Sequence, residues 1–243
     1  MLKIGLFGYG KMGKTIENLA YQQNIDVAWR ITRANRDTLD PELLRQADVV
    51  IEFTQPDAAF VNVMACLEAG VPVVSGTTGW LEKLADAEAW CTEHRGALLW
   101  ASNFSVGVNL FFALNQYLAR LMNRRPEYHP AVTEIHHVHK LDAPSGTALT
   151  LTNDILALID RKHNWVLHPT PPGPEDIPVT AVRENEIPGT HIVRWDGAVD
   201  EIILEHRAFS REGFAAGALL AAQWLYGKTG VFRMADVLGL PNT

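Results

Sequence analysis

The chain is predicted to be an α/β protein: an N-terminal Rossmann-type doubly wound parallel sheet, followed by a central α+β domain with a mixed sheet. Three observations predict this. Short apolar runs alternate with helix-period segments through residue 101. A glycine-rich turn, Gly8-Tyr9-Gly10-Lys11-Met12-Gly13, sits between the first apolar run and the first amphipathic segment. Beyond Asn103 the rhythm changes to longer extended segments with few helices.

Lys3 to Phe7 reads as a short buried strand, and Lys11 to Gln23 as a helix with Ile16, Leu19 and Ala20 on one face. Ile25 to Ile31 is the next strand. Asp48 to Phe53 is almost continuously apolar, as expected of a strand covered on both faces. A helix over Pro56 to Ala69, a strand over Val71 to Ser75, a helix over Trp80 to Glu93 and a strand over Ala97 to Ala101 complete the alternation.

Val108 to Asn123 is a long amphipathic helix, Val132 to Val138 a strand, and Gly146 to Ile159 a helix. The proline-rich stretch from His168 to Pro178 reads as a surface loop. Val179 to Glu184, Thr190 to Trp195 and Asp200 to Phe209 are extended. Gly213 to Tyr226, rich in Ala and Leu, returns to helix and is expected to pack back on the first domain.

Composition narrows the function. The chain has 243 residues, 47% of them hydrophobic, enough for one large or two modest domains. Its net charge of -7, from 21 basic and 28 acidic residues, argues against nucleic-acid binding, which needs a basic surface. Cys66 and Cys91 read as buried thiols in a reducing compartment, not a disulfide framework. No leader precedes the first strand, and no apolar run approaches the roughly 20 residues of a membrane helix. A cytoplasmic location with no membrane partner is expected.

In a strand–turn–helix context Gly8 permits a tight turn, Gly10 lets backbone approach a pyrophosphate, and Gly13 lets helix and strand pack. The helix N-terminus then presents partial positive charge to the phosphates. Three glycines in a purely structural turn are the plainer alternative. Where an NAD-binding fold places an acid on the ribose hydroxyls, this chain has Thr32 and Arg33. An arginine there suits a 2′-phosphate, and Lys11 adds charge nearby, so NADPH is the expected cofactor and NADH a possible one. A plain surface role for Arg33 stays open. Gly76-Thr77-Thr78-Gly79 and Ala101-Ser102-Asn103-Phe104-Ser105 follow later strands, at the carboxyl ends where such sheets bind ligands. They are expected to cradle the nicotinamide ribose, with Phe104 covering the ring.

The densest chemistry lies in Glu134-Ile135-His136-His137-Val138-His139-Lys140-Leu141-Asp142-Ala143-Pro144-Ser145-Gly146-Thr147-Ala148. A histidine can deliver a proton near neutral pH, and a lysine supplies fixed positive charge. The Ser145-Gly146-Thr147 turn opens a helix whose N–H groups and hydroxyls suit a carboxylate or phosphate. A simple Ser/Thr cap and histidines packed at a domain edge are the structural alternatives. A metal site is not expected, because tandem histidines on a strand point to opposite faces.

With both motifs quoted, the chain resembles the 4-hydroxy-tetrahydrodipicolinate reductases, long called dihydrodipicolinate reductases, which serve diaminopimelate and lysine biosynthesis. The resemblance spans almost the whole chain: the glycine turn, Gly76 to Gly79, Asn103 to Ser105, the histidine–lysine signature, and the tail Asp236 to Leu240. It implies a dinucleotide-binding domain formed by residues 1–104 and 211–243, a substrate-binding and oligomerisation domain over 105–210, and a homotetramer. It also implies His136 as general acid and Lys140 as its electrostatic partner. His137, Ser145, Gly146 and Thr147 would hold the carboxylates of a cyclic dicarboxylate. Thr32 departs from the acid that many members carry, which touches cofactor preference and not the reaction. Because cofactor and substrate motifs fall in different domains, domain closure is expected. Another Rossmann dehydrogenase acting on an imine or amino acid, and a non-catalytic dinucleotide sensor, are the rival readings.

Overall fold

A computed structural model describes residues 1–241. The described residues divide into two compact units, one formed by Met1–Val106 with residues 212–241, the other by Gly107–Arg211. Residues 242 and 243, which close the expected first domain, lie outside the described residues.

In the first unit, β1 (Lys3–Phe7), β2 (Asp26–Ile31), β3 (Val49–Glu52), β4 (Val73–Ser75), β5 (Ala97–Trp100) and β11 (Gly230–Phe232) form one parallel sheet in the order β11-β5-β4-β3-β1-β2. The strand direction of travel reverses at β1, flanked by β2 and β3. Such a switch point leaves a crevice at the carboxyl ends of the strands. Every residue of β3 is buried, as its apolar run requires.

Each face of the sheet has its own core. On one side α1 (Lys11–Gln22) and α7 (Glu212–Leu225) pack Ile16, Ala20, Ala218 and Leu219 against Ile4 and Leu6. On the other, α3 (Pro56–Glu68) and α4 (Leu84–Glu93) pack Val63, Cys66, Ala87 and Cys91 against Phe7, Val50 and Leu98. Both cysteines are free and buried. Pro56 starts α3 at a position where its missing N–H costs nothing. Gly217 lets α7 approach the loop after β5: a methyl there would lie 1.8 Å from the carbonyl oxygen of Phe104.

Some elements differ from expectation. The helix expected from Trp80 begins as a 3-10 turn, Leu81–Lys83, before α4. The short α2 (Pro41–Leu44), capped by Asp40, the final α8 (Met234–Val237) and the three-residue β11 were not expected. Elements this short hold through contacts with their neighbours, which periodicity does not register.

In the second unit, β6 (His129–His136), β7 (Asn164–Leu167), β8 (Asp176–Arg183), β9 (Gly189–Asp196) and β10 (Glu201–Ala208) form a mixed sheet ordered β10-β9-β6-β8-β7. β6 runs parallel to β8 and antiparallel to β9. α5 (Val106–Met122) and α6 (Gly146–Leu158) supply Phe111, Ala119, Leu151 and Ile155 to a core with Val132, Val179 and Trp195. The stretch 168–178 is only partly a loop, because β8 already starts at Asp176. Buried Lys162 ties that loop down, donating to the carbonyls of Pro174 at 2.8 Å and Asp176 at 2.9 Å.

Candidate functional site

In the first unit the crevice beyond β1, β2 and β3 is a cleft of about 930 Å3, lined by Gly8, Gly10, Arg33, Arg36, Thr54 and Asn62 among others. The three glycines behave differently. Gly8 has φ +89°, and a methyl on it would lie 2.0 Å from the Phe53 carbonyl oxygen. On Gly13 a methyl would lie 2.3 Å from the Gly8 carbonyl oxygen, so the turn and α1 close against each other. Gly10 has nothing within 4 Å of that position and faces open space at the head of α1. A tight turn, an open cradle and a close-packed third glycine fit a pyrophosphate. Lys11 is exposed in the first turn of α1, and Met12 packs against the core.

At the end of β2, Thr32 caps the 3-10 helix Arg33–Thr38 through its Oγ1, which accepts from the Ala34 N–H at 3.2 Å. Arg33 is thereby placed on the cleft wall. Arg36, which the sequence did not single out, joins it and donates to Asn62 Oδ1 at 2.7 Å. Arg30 is spent elsewhere: it and the Tyr9 hydroxyl both donate to Glu17.

The Gly76–Gly79 loop is anchored from below by Glu52, which has no exposed surface. Its carboxylate accepts from Ser75 Oγ at 2.7 Å and Thr77 Oγ1 at 2.9 Å. Two indoles, Trp80 at 2.8 Å and Trp100 at 3.2 Å, donate to the Thr77 carbonyl. Thr78 and Ser102 are exposed, and Asn103 Oδ1 accepts from the Ser105 N–H at 2.9 Å. Phe104 corrects an expectation. Its side chain is only 2% exposed, in the core, with its ring 5.6 Å from that of Phe53, so it has no free face with which to cover a nicotinamide. What it offers a ligand is backbone.

The second unit holds the histidine–lysine segment. The alternation of β6 buries Pro130, Val132, Glu134 and His136 on one face. Glu134 lies opposite His191 of β9 and beside Ala181 of β8; His136 lies beside Arg183. Four polar side chains thus meet on the buried face. Glu134 Oε2 is 3.0 Å from His136 Nδ1 and 3.9 Å from His191 Nε2. Its Oε1 accepts from Arg183 Nη2 at 2.9 Å and from the Ser145 N–H at 3.0 Å.

Burial pushes the Glu134 carboxyl upward. Hydrogen bonds from His136, Ser145 and Arg183 outweigh it and hold the pKa at about 2. Burial, then the nearby His136, lowers His191 to about 4, so His191 is neutral near pH 7. The donor atoms of Glu134, His136 and His191 lie within 4.8 Å of one another, a spacing that would admit a cation. Arg183 already supplies positive charge to that carboxylate.

Arg183 also ties down the following turn, donating to the carbonyls of Lys140 at 3.2 Å and of Asp142. Lys140 Nζ sits 2.8 and 2.9 Å from the two oxygens of Asp142. His137 Nε2 is 3.1 Å from Arg211 Nη2, and burial followed by that guanidinium lowers its pKa. His139 turns to the surface, 3.3 Å from Glu186.

Ser145 is the N-cap of α6, its Oγ accepting from the Ala148 N–H at 3.2 Å and lying 3.2 Å from His191 Nε2. Both polar atoms of this buried serine are therefore engaged within the protein. Gly146 is exposed, with nothing within 4 Å of where a Cβ would be, and Thr147 is half-buried beside it. The first N–H groups of a helix have no partner within it. Of the residues expected to grip a carboxylate, Gly146 and Thr147 present open backbone, while Ser145 supports the turn.

Sequence reasoning quoted Glu134 without giving it a role and missed Arg183, His191, Arg211 and Arg36. Strand alternation offered a signal for Glu134, two residues from His136. Arg183 and His191 depend on register between strands far apart in sequence, while Arg36 lies on a 3-10 helix and Arg211 directly before α7.

Comparison with known proteins agrees with this architecture. The family models described as dihydrodipicolinate reductase, N-terminus, and dihydrodipicolinate reductase, C-terminus, match residues 2–104 and 107–238. A 4-hydroxy-tetrahydrodipicolinate reductase of Christiangramia forsetii is 44% identical over 98% of both chains. One from Neisseria meningitidis serogroup B is 37% identical, over 82% of this chain and 76% of its own. Among solved structures, a dipicolinate-bound dihydrodipicolinate reductase from Paenisporosarcina sp. TG-14 superposes with a TM-score of 0.80 at 22% identity, covering 97% of this chain and 98% of its own. An amine dehydrogenase from Mycobacterium smegmatis shares the fold at TM-score 0.58 and 11% identity, over 99% and 96% of the two chains. With both halves matched by its models and relatives of this similarity along its length, the chain belongs to the dihydrodipicolinate reductase family.

Proposed function

We propose that the chain reduces 4-hydroxy-tetrahydrodipicolinate to tetrahydrodipicolinate in diaminopimelate and lysine biosynthesis, with NADPH as the preferred cofactor and NADH as a second one. One observation carries the reading: in a chain of this family, a buried histidine is held by a carboxylate next to an open helix N-terminus. When bound, the dinucleotide supplies a hydride from nicotinamide C4. The balance is one hydride and one proton gained by the ring, with loss of the 4-hydroxyl as water.

The chain's own residues do the rest. Backbone N–H groups of Gly146 and Thr147, with the Thr147 hydroxyl, hold one carboxylate of the substrate. Ser145 keeps that turn in shape. His137 and the Arg211 guanidinium beside it offer a second carboxylate site. His136 delivers the proton from Nε2 to the carbon of the enamine left after reduction. Lys140 supplies positive charge where negative charge develops, exchanging Asp142 for substrate. In the first unit Gly8, Gly10, Lys11, Met12 and Gly13 form the pyrophosphate turn, and Arg33 with Arg36 meets the 2′-phosphate. Gly76, Thr77, Thr78, Ser102, Asn103 and the backbone of Phe104 frame the nicotinamide side.

We further propose a homotetramer built through the second unit. Ile202 and Ile203 are exposed on the edge strand β10, and Leu110, Leu114, Tyr117 and Leu121 form an exposed stripe along α5. Covering such apolar surface is favourable, and an open strand edge invites pairing. A cytoplasmic location is proposed on the biosynthetic role. No helix among the described residues is long and apolar enough to cross a membrane. Dipicolinate, a planar dicarboxylate, tests the site: it should compete with the substrate, and Thr147→Val should weaken it. Indifference to dipicolinate would overturn the assigned carboxylate site.

A further inference from the structure

We infer that Glu134 is a positioning residue for the reduction: its carboxylate, at ion-pair distance from His136 Nδ1, keeps a proton on that nitrogen and so leaves Nε2 to carry and give up the catalytic proton. The inference rests on His136 being the acid of the proposed reaction.

Four observations lead to it. First, Glu134 and His136 share one face of β6, and Oε2 lies 3.0 Å from Nδ1, with neither side chain more than marginally exposed. Neither atom has another hydrogen-bond partner among the described residues, and a carboxylate at that distance in a buried site favours a proton on the nitrogen that faces it. Second, the carboxylate is itself fixed. Its other oxygen receives Arg183 Nη2 at 2.9 Å and the Ser145 N–H at 3.0 Å, from two further elements of the fold. It cannot rotate away from His136 without abandoning both.

Third, the only other imidazole near the carboxylate among the described residues is kept from competing. His191 Nε2 stands 3.9 Å from Oε2 and 3.2 Å from Ser145 Oγ. A neutral His191 accepts the serine hydroxyl proton at Nε2, while Ser145 Oγ accepts from Ala148 N–H. Ser145 therefore links the substrate turn to the histidine pair. Fourth, the Nε2 side of His136 faces a glycine. A Cβ at Gly189 would lie 3.0 Å from His136 Nε2 and 3.3 Å from Cδ2. The chain leaves unfilled the space next to the nitrogen that must act.

Glu134 does not touch substrate in this account; it acts through His136. Its loss should lower kcat and leave KM nearly unchanged, because the carboxylate-gripping groups stay in place. Without the carboxylate, the imidazolium that carries the second proton on Nε2 loses its counter-charge and the neutral ring can place its single proton on either nitrogen, a defect that costs orders of magnitude in other histidine catalysts.

The experiment uses the full chain with 15N-labelled histidine. Wild type, Glu134→Gln, Glu134→Asp and His136→Gln are compared by steady-state NADPH oxidation and by imidazole 15N NMR, with His136→Gln also assigning the signal. The expected result for wild type is a His136 ring whose Nδ1 stays protonated, with Nε2 the nitrogen that gains and loses the second proton. Glu134→Gln should mix the tautomers and lower kcat by about 100-fold or more, with KM within about threefold; Glu134→Asp should recover part of the loss. A wild-type His136 whose single proton sits on Nε2, with none on Nδ1, would overturn the inference, as would a folded Glu134→Gln with kcat within about threefold of wild type. If Glu134→Gln fails to fold by circular dichroism, the wild-type tautomer decides alone. Full turnover by His136→Gln would instead remove the acid role of His136, a failure the NMR signal separates from this one.

Discussion

Gly13 faces the carbonyl oxygen of Gly8 so closely that a single methyl would sit 2.3 Å from it. The glycine turn is thus a packed joint between β1 and α1 as well as the proposed phosphate cradle, and its glycines are not equivalent. Gly13→Ala is expected to destabilise the protein by about 1–3 kcal/mol, the range for overpacking a tight contact, and to lower Tm. Gly10→Ala should leave Tm nearly unchanged, because its Cβ enters open space. It should still weaken dinucleotide binding by about tenfold or more, the equivalent of one lost hydrogen bond to a charged group. Calorimetry with a fluorescence titration of NADPH separates the two effects.

Arg33 and Arg36 line the same cleft, with Thr32 in place of an acid at the end of β2. Replacing either arginine by Ala should raise KM for NADPH by about tenfold, in keeping with about 1.5–3 kcal/mol for a charge-assisted bond, and leave NADH almost untouched. Measuring kcat/KM for both cofactors checks this. Equal losses for the two would place the arginines elsewhere than at the 2′-phosphate.

Lys140 is paired with Asp142, and that turn is held by Arg183. Lys140→Ala is expected to lower kcat/KM by about 100- to 1,000-fold, the scale seen when a group that meets developing charge is removed. The fold should survive, since the ammonium is partly exposed and makes its bond at the surface. A loss of less than about threefold in the same assay would deny it an electrostatic role.

Acid should unfold the second unit in a predictable order. The folded state keeps His191 neutral down to about 4, whereas an unperturbed histidine takes its proton near 6.5. Below 6.5 the unfolded chain therefore binds more protons, and stability falls as pH drops toward 4. Glu134 acts in the same direction lower down: its folded pKa of about 2 against 4.5 gives stability present above 4.5 and lost as pH falls toward 2. Urea unfolding at pH 7, 5.5 and 4 should show the decline, and His191→Gln should flatten it between 6.5 and 4. An unchanged slope in that variant would show that other groups set the acid sensitivity.

The larger strands and helices were legible because their signals are local. The continuous burial of β3 and the alternation of β6 follow from which residues are apolar. In the glycine turn, the tight turn at Gly8 and the close packing at Gly13 were legible, and Gly10 faces open space. What escaped depends on distant pairing. Arg183 and His191 reach Glu134 only because β8 and β9 lie on either side of β6 in a particular register. Phe104 was misjudged for the opposite reason: an aromatic in a ligand-side loop looks available, yet Phe53 and the approach of Gly217 draw the residue into the core. Ser145 shows the same contrast, since a hydroxyl that reads as a ligand donor is consumed by the cap of α6 and by His191.

The central claim, reduction of a cyclic dicarboxylate with His136 as acid, is tested most directly by following NADPH absorbance with freshly generated 4-hydroxy-tetrahydrodipicolinate. Wild type should oxidise NADPH rapidly, and folded His136→Gln should be slower by about 100- to 10,000-fold, the scale of general acid catalysis. Folded wild-type protein that oxidises neither NADPH nor NADH with this substrate would contradict the assignment.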